Sequence, residues 1–408
     1  MTEPRNAHRL QVGVSGRAVA TLGRAESPAD SVLNYRADVE DTDAVSLTMP
    51  VRLESYLWER GLPPVLDMHL PEGALRDELV RRFSKAVRGF DDFDLLSMTG
   101  PHQLGRLQIT DAQRVSSRMP ETSLTELLSQ DGTPGLFEAL LQTYGEYSGV
   151  SGVQPKVLVR DSNAAPTAHG GATHLLKTFN TEQTPELASN EYFCLRAALH
   201  SGLEVPSFEL SEHGKFLLVE RFDCNALGCL GFEDLCVLNA WPAKAKYDGS
   251  YEGAARQIKA FVSPSLLNTA LESFFKRVAL SAGVKNGDAH LKNFGVLYPD
   301  CAADALISLA PAYDVVTTSV YNRNDSLALL LGGSKAWPKR KALVKFGRVA
   351  CNLSEGRCNE LLQQVVHGMA LAMVEMKRYM KFNPGFVEIG TAMLEQWRAG
   401  AALSLVNN

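Results

Sequence analysis

One short segment of this chain combines the residues needed for phosphoryl transfer. Residues 285–294 read KNGDAHLKNF, which places Asp288 five residues before Asn293. In kinases, an aspartate at this spacing accepts the proton of the attacking hydroxyl, and the asparagine holds a magnesium ion. Asp314 follows twenty-one residues after Asn293 and is predicted to be the second metal ligand. An Asp–Asn pair at this spacing also arises by chance, so the prediction depends on the other parts of the chain.

A turn of small residues precedes this segment. Residues 147–156 read YSGVSGVQPK, here named the phosphate loop, and an apolar strand is predicted at 157–159. Glycines and serines let backbone N–H groups approach a phosphate closely. The spacing is not that of a Walker motif, and a plain hairpin turn is the open alternative.

Lys177 is the lysine of an apolar strand predicted over 174–179. A buried charge on a strand is costly unless it meets an anion, which in a nucleotide site would be the α- or β-phosphate. The alternative is an edge-strand lysine that points to solvent. Glu191 lies on a helix predicted over 185–202 and could pair with Lys177. The strand predicted over 216–223 stands where a kinase hinge would contact adenine.

The remaining pattern divides the chain into a β-rich first part and a helical second part. Short strands are predicted over 8–22 and 45–50, and helices over 74–86 and 92–98. A helical pattern recurs over 123–144, and a loop rich in small residues spans 161–172. The second part is predicted to contain helices over 233–240, 254–261, 266–282, 355–380 and 384–403, with strands over 294–298 and 305–309.

Composition limits the class of protein. A chain of 408 residues with 45% hydrophobic residues predicts a globular protein of two or three domains. The net charge of -5 argues against a protein that coats nucleic acid by itself. The chain has no run of 18 apolar residues and no secretory signal at Met1–Asn6, so a cytoplasmic protein without a membrane span is expected. Seven scattered cysteines without a CxxC pair predict reduced thiols and no zinc site.

Taken in order, these segments resemble the HipA family of serine/threonine kinases over nearly the whole chain. The resemblance implies an α+β, bilobal, protein-kinase-like fold. Its implied parts are a small α+β N-terminal subdomain at 1–110, a kinase N-lobe at 111–222 and a helical C-lobe at 223–408. The matching motifs are SLTMP at 46–50, LPEG at 70–73, DDFDLL at 91–96, SGVQPK at 151–156, LK at 176–177, VERFD at 219–223, DAHLKN at 288–293 and YD at 313–314.

The resemblance also implies the roles of individual residues with ATP and Mg²⁺. Asp288, Lys292 and His290 are the implied catalytic group, with His290 more typical of a residue that braces the loop. Asn293 and Asp314 are the implied metal ligands. The implied ATP-binding residues are Ser151, Gly152, Val153, Gln154, Lys156, Lys177, Glu220, Arg221, Phe222, His290 and Asn293.

Members of the family are usually the toxin of a type II toxin–antitoxin pair and inactivate themselves by phosphorylating a serine of the phosphate loop. Gly149 stands at one of the two phosphorylatable positions, so Ser151 is the predicted site and Ser148, displaced by one residue, is the fallback. The implied partners are a small HipB-like DNA-binding antitoxin, operator DNA through that antitoxin, and a protein substrate, for some members an aminoacyl-tRNA synthetase.

Two other functions stay open at this stage. One is a catalytically silent, kinase-like co-repressor that acts with a DNA-binding antitoxin. The presence of Asp288, Asn293 and Asp314 argues against it. The other is a kinase of small molecules, against which the N-terminal motifs argue.

Overall fold

A computed structural model describes residues 9–27, 29–84, 89–112, 118–164, 171–179, 182–225 and 228–407. The N-terminal stretch Met1–Asn6, the end of the helix predicted over 74–86 and the middle of the loop predicted over 161–172 lie outside these residues. Within them, no helix is long and apolar enough to cross a membrane.

The N-terminal region is built on an antiparallel five-stranded sheet. Leu10 and Val12 alternate with exposed neighbours and are fully buried, so one face of the sheet forms a core. Three helices share the core of this sheet, α1 (Pro64–Asp67), α2 (Gly73–Phe83) and α3 (Asp92–Thr99). The strands, in the spatial order β4-β3-β2-β1-β5, are β1 (Arg9–Val14), β2 (Arg17–Arg24), β3 (Ser31–Tyr35), β4 (Tyr56–Trp58) and β5 (Leu107–Asp111).

A second five-stranded sheet follows, and the phosphate loop leads into its strand at Lys156–Asp161. Val157, Leu158 and Val159 are fully buried and join the core of the first sheet. Its helices are α4 (Leu124–Ser129), α5 (Leu136–Tyr144) and α6 (Leu187–His200). The strands, in the order β6-β7-β8-β10-β9, are β6 (Glu121–Thr122), β7 (Lys156–Asp161), β8 (His174–Lys177), β9 (Phe208–Leu210) and β10 (Leu217–Glu220).

The rest of the chain is mainly helical, and its core includes the fully buried Trp397. Two short strands, β11 (Cys224–Asn225) and β12 (Gly228–Cys229), form a hairpin. A three-stranded sheet consists of β13 (Gly231–Asp234), β14 (Gly295–Tyr298) and β15 (Ser308–Leu309). The helices are α7 (Leu235–Leu238), α8 (Tyr251–Phe261), α9 (Leu267–Val284), α10 (Arg340–Val349), α11 (Glu355–Met380) and α12 (Val387–Ser404).

Several predicted elements differ from the structure. Residues 45–50 form a turn closed by a bridge between Ser46 and Met49, not a strand. The helical pattern that recurs over 123–144 forms two helices, and Gly132, Pro134 and Gly135 separate α4 from α5. The helix predicted over 233–240 is also wrong at its start, where β13 pairs with β14.

The prediction that all cysteines are reduced thiols is wrong for two of them. Cys224 and Cys229 form a disulfide. The β11–β12 hairpin places them directly opposite each other, with their Cα atoms 4.0 Å apart. Cys194, Cys236, Cys301, Cys351 and Cys358 are free thiols.

Candidate active site

A cleft of about 660 Å³ separates the second sheet from the helical region. The predicted ATP-binding, metal-binding and catalytic residues all line it, and Ser148 does not. Those lining residues are Ser151, Gly152, Val153, Gln154, Lys156, Lys177, Glu220, Arg221, Phe222, Asp288, His290, Lys292, Asn293 and Asp314.

A buried ion cluster lies at the centre of the cleft. The Nζ atom of Lys177 is 2.6 Å from Glu191 Oε1 and 2.9 Å from Asp314 Oδ1, so the predicted Lys177–Glu191 pair is formed. Burial opposes the ammonium charge, but the two carboxylates raise the pKa of Lys177 above its ordinary value. Burial also opposes the Asp314 charge, yet Lys177 and Lys156 hold the pKa of Asp314 below its ordinary value. Asp314 is therefore ionised at neutral pH.

Two side chains with oxygen atoms suited to a hard cation, those of Asn293 and Asp314, are hydrogen-bonded to each other beside this cluster. Asn293 Nδ2 donates to Asp314 Oδ2 over 3.1 Å, which turns the amide so that its oxygen is free. Asn293 Oδ1 is buried and has no hydrogen-bond partner among the described residues. Among the residues that the structure describes, no three His, Cys, Asp or Glu side chains form a cluster that could hold a metal ion. Two protein oxygens fit Mg²⁺, which commonly takes one or two protein ligands and completes its shell with phosphate oxygens and water.

The backbone of Asp314 is strained at this point. Its φ of 57° lies in the left-handed region, which costs a non-glycine residue free energy and is frequent at functional sites. The Asp314 carbonyl accepts a second bond from Asn293 Nδ2, at 3.1 Å, which helps to hold this conformation.

Asp288 stands at the mouth of the cleft with a side chain that is 43% exposed. Its Oδ1 accepts a hydrogen bond from the Tyr247 hydroxyl over 2.6 Å and lies 4.0 Å from His290 Nε2. Burial of the carboxyl raises the pKa of Asp288 to about 6. Burial lowers the pKa of His290 to about 4, so this imidazole is neutral at pH 7. The ionised Asp288 is a base of moderate strength, matched to accepting a proton near neutral pH.

The loop that carries Asp288 is fixed by backbone contacts at the end of α9. Lys285 ends the helix in the left-handed conformation, with a φ of 59°. Asn286 Oδ1 then accepts the N–H of Asp288 over 3.0 Å. Gly287 leaves no room for a side chain, because a Cβ there would lie 2.1 Å from Asp325 Oδ1. These contacts hold Asp288 toward the cleft before a substrate binds.

The phosphate loop folds over a buried lysine. Lys156 Nζ donates to the carbonyl of Ser151 over 3.1 Å, and burial lowers the pKa of Lys156 to about 8. Gly152 has a φ of 115°, and a Cβ at that position would lie 2.0 Å from Lys156 Nζ. Gln154 Nε2 donates to the carbonyl of Thr178 over 3.1 Å and ties the loop to the sheet.

The two candidate serines have different environments. Ser151 is partly exposed, and its hydroxyl donates to Glu72 Oε1 over 2.7 Å. Ser148 is completely buried. Its hydroxyl donates to the Tyr144 carbonyl over 2.7 Å and accepts from the N–H of Leu158 over 2.8 Å, so both of its hydrogen-bonding roles are structural.

The N-terminal region reaches the cleft through residues that sequence reasoning did not assign to the site. Glu72 Oε2 lies 3.0 Å from Lys246 Nζ, so this carboxylate contacts both the phosphate loop and the helical region. A Cβ at Gly73 would lie 2.4 Å from the Val153 carbonyl, which shows how closely the two backbones pack. The LPEG motif at 70–73 was a signal for this contact, whereas nothing in the sequence pointed to Lys246 or Tyr247.

Aromatic side chains form the other end of the cleft. Phe222 stacks on Tyr313 with ring centroids 5.5 Å apart, and Phe232 meets Phe222 edge-on at 5.6 Å. A planar base fits beside such rings. Glu220 is exposed at the end of β10, whereas the Arg221 guanidinium is held by Asp223 at 2.5 Å.

Lys292 is directed away from the ion cluster. Its Nζ donates to the Met68 carbonyl over 2.8 Å and lies 3.4 Å from Asp234 Oδ2. This arrangement joins the 285–294 segment to the N-terminal region. In this conformation the Lys292 side chain braces the site.

Comparisons with known proteins agree with this arrangement. A family model described as the HipA-like C-terminal domain matches residues 148–373, and one described as the HipA N-terminal domain matches residues 10–110. Two Sinorhizobium fredii proteins named as candidate kinases are similar. Y4dM is 24% identical over 351 residues, covering 79% of this chain and 80% of its own. Y4mE is 28% identical over 323 residues, covering 72% of this chain and 73% of its own.

A solved structure has the same architecture. A chain from the HipA, HipB and operator DNA complex of the Shewanella oneidensis MR-1 toxin antitoxin system matches with a TM-score of 0.71, at 18% identity and with 97% of each chain covered. At this identity the likeness shows the fold. It confirms the predicted α+β, kinase-like class.

Proposed function

The chain belongs to the HipA family, and we propose that it is an ATP- and Mg²⁺-dependent serine/threonine-protein kinase, the toxin of a HipBA-type toxin–antitoxin system. The observation that carries the proposal is the grouping of Lys177, Glu191, Asp314 and Asn293 in one cleft with a half-exposed Asp288. This is the set of groups that phosphoryl transfer requires.

In the proposed reaction, Asp288 accepts the proton of a serine or threonine hydroxyl. The hydroxyl oxygen forms a bond to the γ-phosphorus of ATP, and the bond from that phosphorus to the β-phosphate oxygen breaks. Charge spreads over the γ-phosphate oxygens in this loose transition state, so positioned cations and N–H groups do most of the catalysis.

Other residues of the cleft bind and orient the nucleotide. Lys177, held by Glu191, would contact the α- and β-phosphates, and the backbone around Gly152 and Gln154 would cover them. Phe222 and Tyr313 would face the adenine ring. Mg²⁺, held by Asn293 Oδ1 and Asp314, would supply the positive charge that neutralises the phosphate oxygens.

Regulation and partners belong to the same proposal. Ser151 is the proposed autophosphorylation site, supported by its partial exposure at the cleft, and Ser148 is disfavoured by its burial. A small HipB-like antitoxin would bind operator DNA for the pair, which suits a chain with a net charge of -5. We also propose the divisions 1–110, 111–222 and 223–408 for the subdomain and two lobes.

A labelling assay with γ-³²P-ATP on the purified chain separates the candidate functions. A protein kinase labels itself or an added protein, a silent co-repressor labels nothing, and a small-molecule kinase gives a labelled small product. Asp288→Asn and Asp314→Asn are each expected to reduce labelling a hundredfold or more, about 3 kcal/mol of barrier. Circular dichroism checks that both variants are folded. Near-normal labelling by folded Asp288→Asn would refute the proposed base.

A further inference from the structure

The Tyr247 hydroxyl already occupies the position of an acceptor on the proposed base. Its oxygen donates to Asp288 Oδ1 over 2.6 Å. A kinase substrate must place its own hydroxyl within hydrogen-bond reach of this carboxylate before transfer. Tyr247 and Asp288 line the same cleft as the phosphate loop, Lys177 and Asp314.

The segment around Tyr247 is anchored, so this contact is held by its surroundings. The Lys246 carbonyl accepts the N–H of Leu291 over 3.0 Å, and the Lys246 ammonium pairs with Glu72. The Tyr247 ring meets the His290 ring edge-on, with centroids 5.0 Å apart. These contacts fix the backbone and the ring, and they leave the hydroxyl directed at Asp288.

A second tyrosine nearby shows what a purely structural hydroxyl looks like in this region. Tyr251 is fully buried, and its hydroxyl donates to the Ala289 carbonyl over 3.0 Å. Tyr247 is 43% exposed and donates to a carboxylate at the mouth of the cleft. The exposure of Tyr247 leaves space for a phosphate on its hydroxyl, whereas the buried hydroxyl of Tyr251 has no such space.

We propose that Tyr247 is an intramolecular phosphate acceptor, a modification site that rests on the kinase function proposed above. Asp288 takes the proton of the Tyr247 hydroxyl, the oxygen bonds to the γ-phosphorus of ATP, and ADP leaves as the β–γ bridging bond breaks. Until this happens, the tyrosine competes with protein substrates for Asp288. The phosphate adds a charge of about -1.5 to -2 beside Asp288, so repulsion drives the modified side chain away from the base.

The test is a time course of the full chain with Mg²⁺ and γ-³²P-ATP, followed by peptide mapping by mass spectrometry. Phosphotyrosine is expected at Tyr247, with a first-order rate that is unchanged over a roughly hundredfold dilution because acceptor and base share one chain. Tyr247→Phe should lose this label, and Asp288→Asn should lose it as well. Tyr56→Phe is the matched control, since Tyr56 lies in the N-terminal sheet and its hydroxyl donates to the Pro50 carbonyl.

The outcomes distinguish this inference from the proposed function. Phosphoserine or phosphothreonine with unmodified Tyr247 overturns the tyrosine site and leaves the kinase function standing. A Tyr247 labelling rate that rises with protein concentration overturns the intramolecular assignment. If a folded chain transfers no phosphate to any residue, added protein or small molecule, the kinase function itself fails.

Discussion

Asp288 and Asp314 are two carboxylates of one cleft whose environments separate their pKa values. Partial burial of the Asp288 carboxyl raises its pKa to about 6, whereas Asp314 is paired with Lys177. Lys177 holds the pKa of Asp314 low despite burial. Carboxylates that differ in this way divide a reaction between them, one as a proton acceptor and the other as a permanently ionised ligand.

The first prediction concerns the pH dependence of the kinase rate. Asp288 must be deprotonated to act as a base, so the rate should fall as pH drops through about 6. Between pH 7 and pH 5, the expected decrease is roughly tenfold. Initial rates of γ-³²P transfer at saturating ATP measure it. His290→Gln is the comparison, and the rate of this variant should also fall near pH 6. If the rate of the wild-type protein fell only near pH 4, a group other than Asp288 would control it.

The second prediction concerns the phosphate loop. Phosphate on Ser151 would lie beside Glu72, which now accepts the Ser151 hydroxyl. The added charge of about -1.5 to -2 would repel Glu72 and the phosphates of ATP, so the loop should leave the cleft. Ser151→Ala should keep or raise kinase activity, whereas Ser151→Asp should lower both activity and ATP affinity, as measured by calorimetry.

Ser148→Ala is the matched control for these variants. It removes two buried hydrogen bonds and should lower the melting temperature, because the Tyr144 carbonyl and the Leu158 N–H lose a partner. Peptide maps should still show phosphate at Ser151. Phosphate at Ser148 and none at Ser151 would move the switch to the buried serine.

At the scale of elements, a turn of the N-terminal region docks on strand β13. Glu233 of β13 is fully buried and accepts hydrogen bonds from Ser46 Oγ, from the Leu47 N–H and from the Tyr298 hydroxyl. Burial raises the pKa of Glu233 to about 7. Burial disfavours the carboxylate more than these three hydrogen bonds favour it, so the folded protein is most stable when Glu233 is protonated.

The third prediction follows from the sign of that shift. Because the folded-state pKa exceeds the unfolded value, the contribution of Glu233 to stability is fully present below about pH 4.5 and is lost as pH rises through about 7. Glu233→Gln keeps a neutral side chain, so it should melt a few degrees above the wild type at pH 8 and close to it at pH 5. Exposed Glu138→Gln is the control. If the difference in melting temperature between Glu233→Gln and the wild type did not increase from pH 5 to pH 8, the raised pKa of Glu233 would be contradicted.

Element types were predictable where local patterns agree with the final packing. Leu10 and Val12 alternate as a strand should, and α11 shows a long helical period. The turn at Ser46–Met49 could not be predicted from the local sequence, because its polar groups contact Glu233, which is 187 residues from Ser46. Long-range hydrogen bonds of this kind override a local strand pattern and leave no local signal.

At the scale of the molecule, the cleft is assembled by three regions. The second sheet supplies the phosphate loop, the helical region supplies Asp288, and Glu72 of the N-terminal region contacts Ser151 and Lys246. The N-terminal region is therefore part of the site, and a change at Glu72 can alter the phosphate loop. The motifs predicted the parts and their order. They did not reveal Tyr247 or Lys246, whose positions depend on how the regions pack together.

The last prediction concerns the effect of the whole chain on a cell. If the chain is a toxin kinase, its induced expression in bacteria should slow growth, since it would phosphorylate a host protein. Expression of the Asp288→Asn variant at an equal protein level should not slow growth, because the variant keeps the surface of the protein and loses the proposed base. Co-expression of a small HipB-like DNA-binding antitoxin should restore growth. Growth curves and phosphoproteomics after brief induction measure both effects. Normal growth under strong expression, with kinase activity confirmed in the same cells, would argue against the toxin role and leave the phosphoryl-transfer chemistry intact.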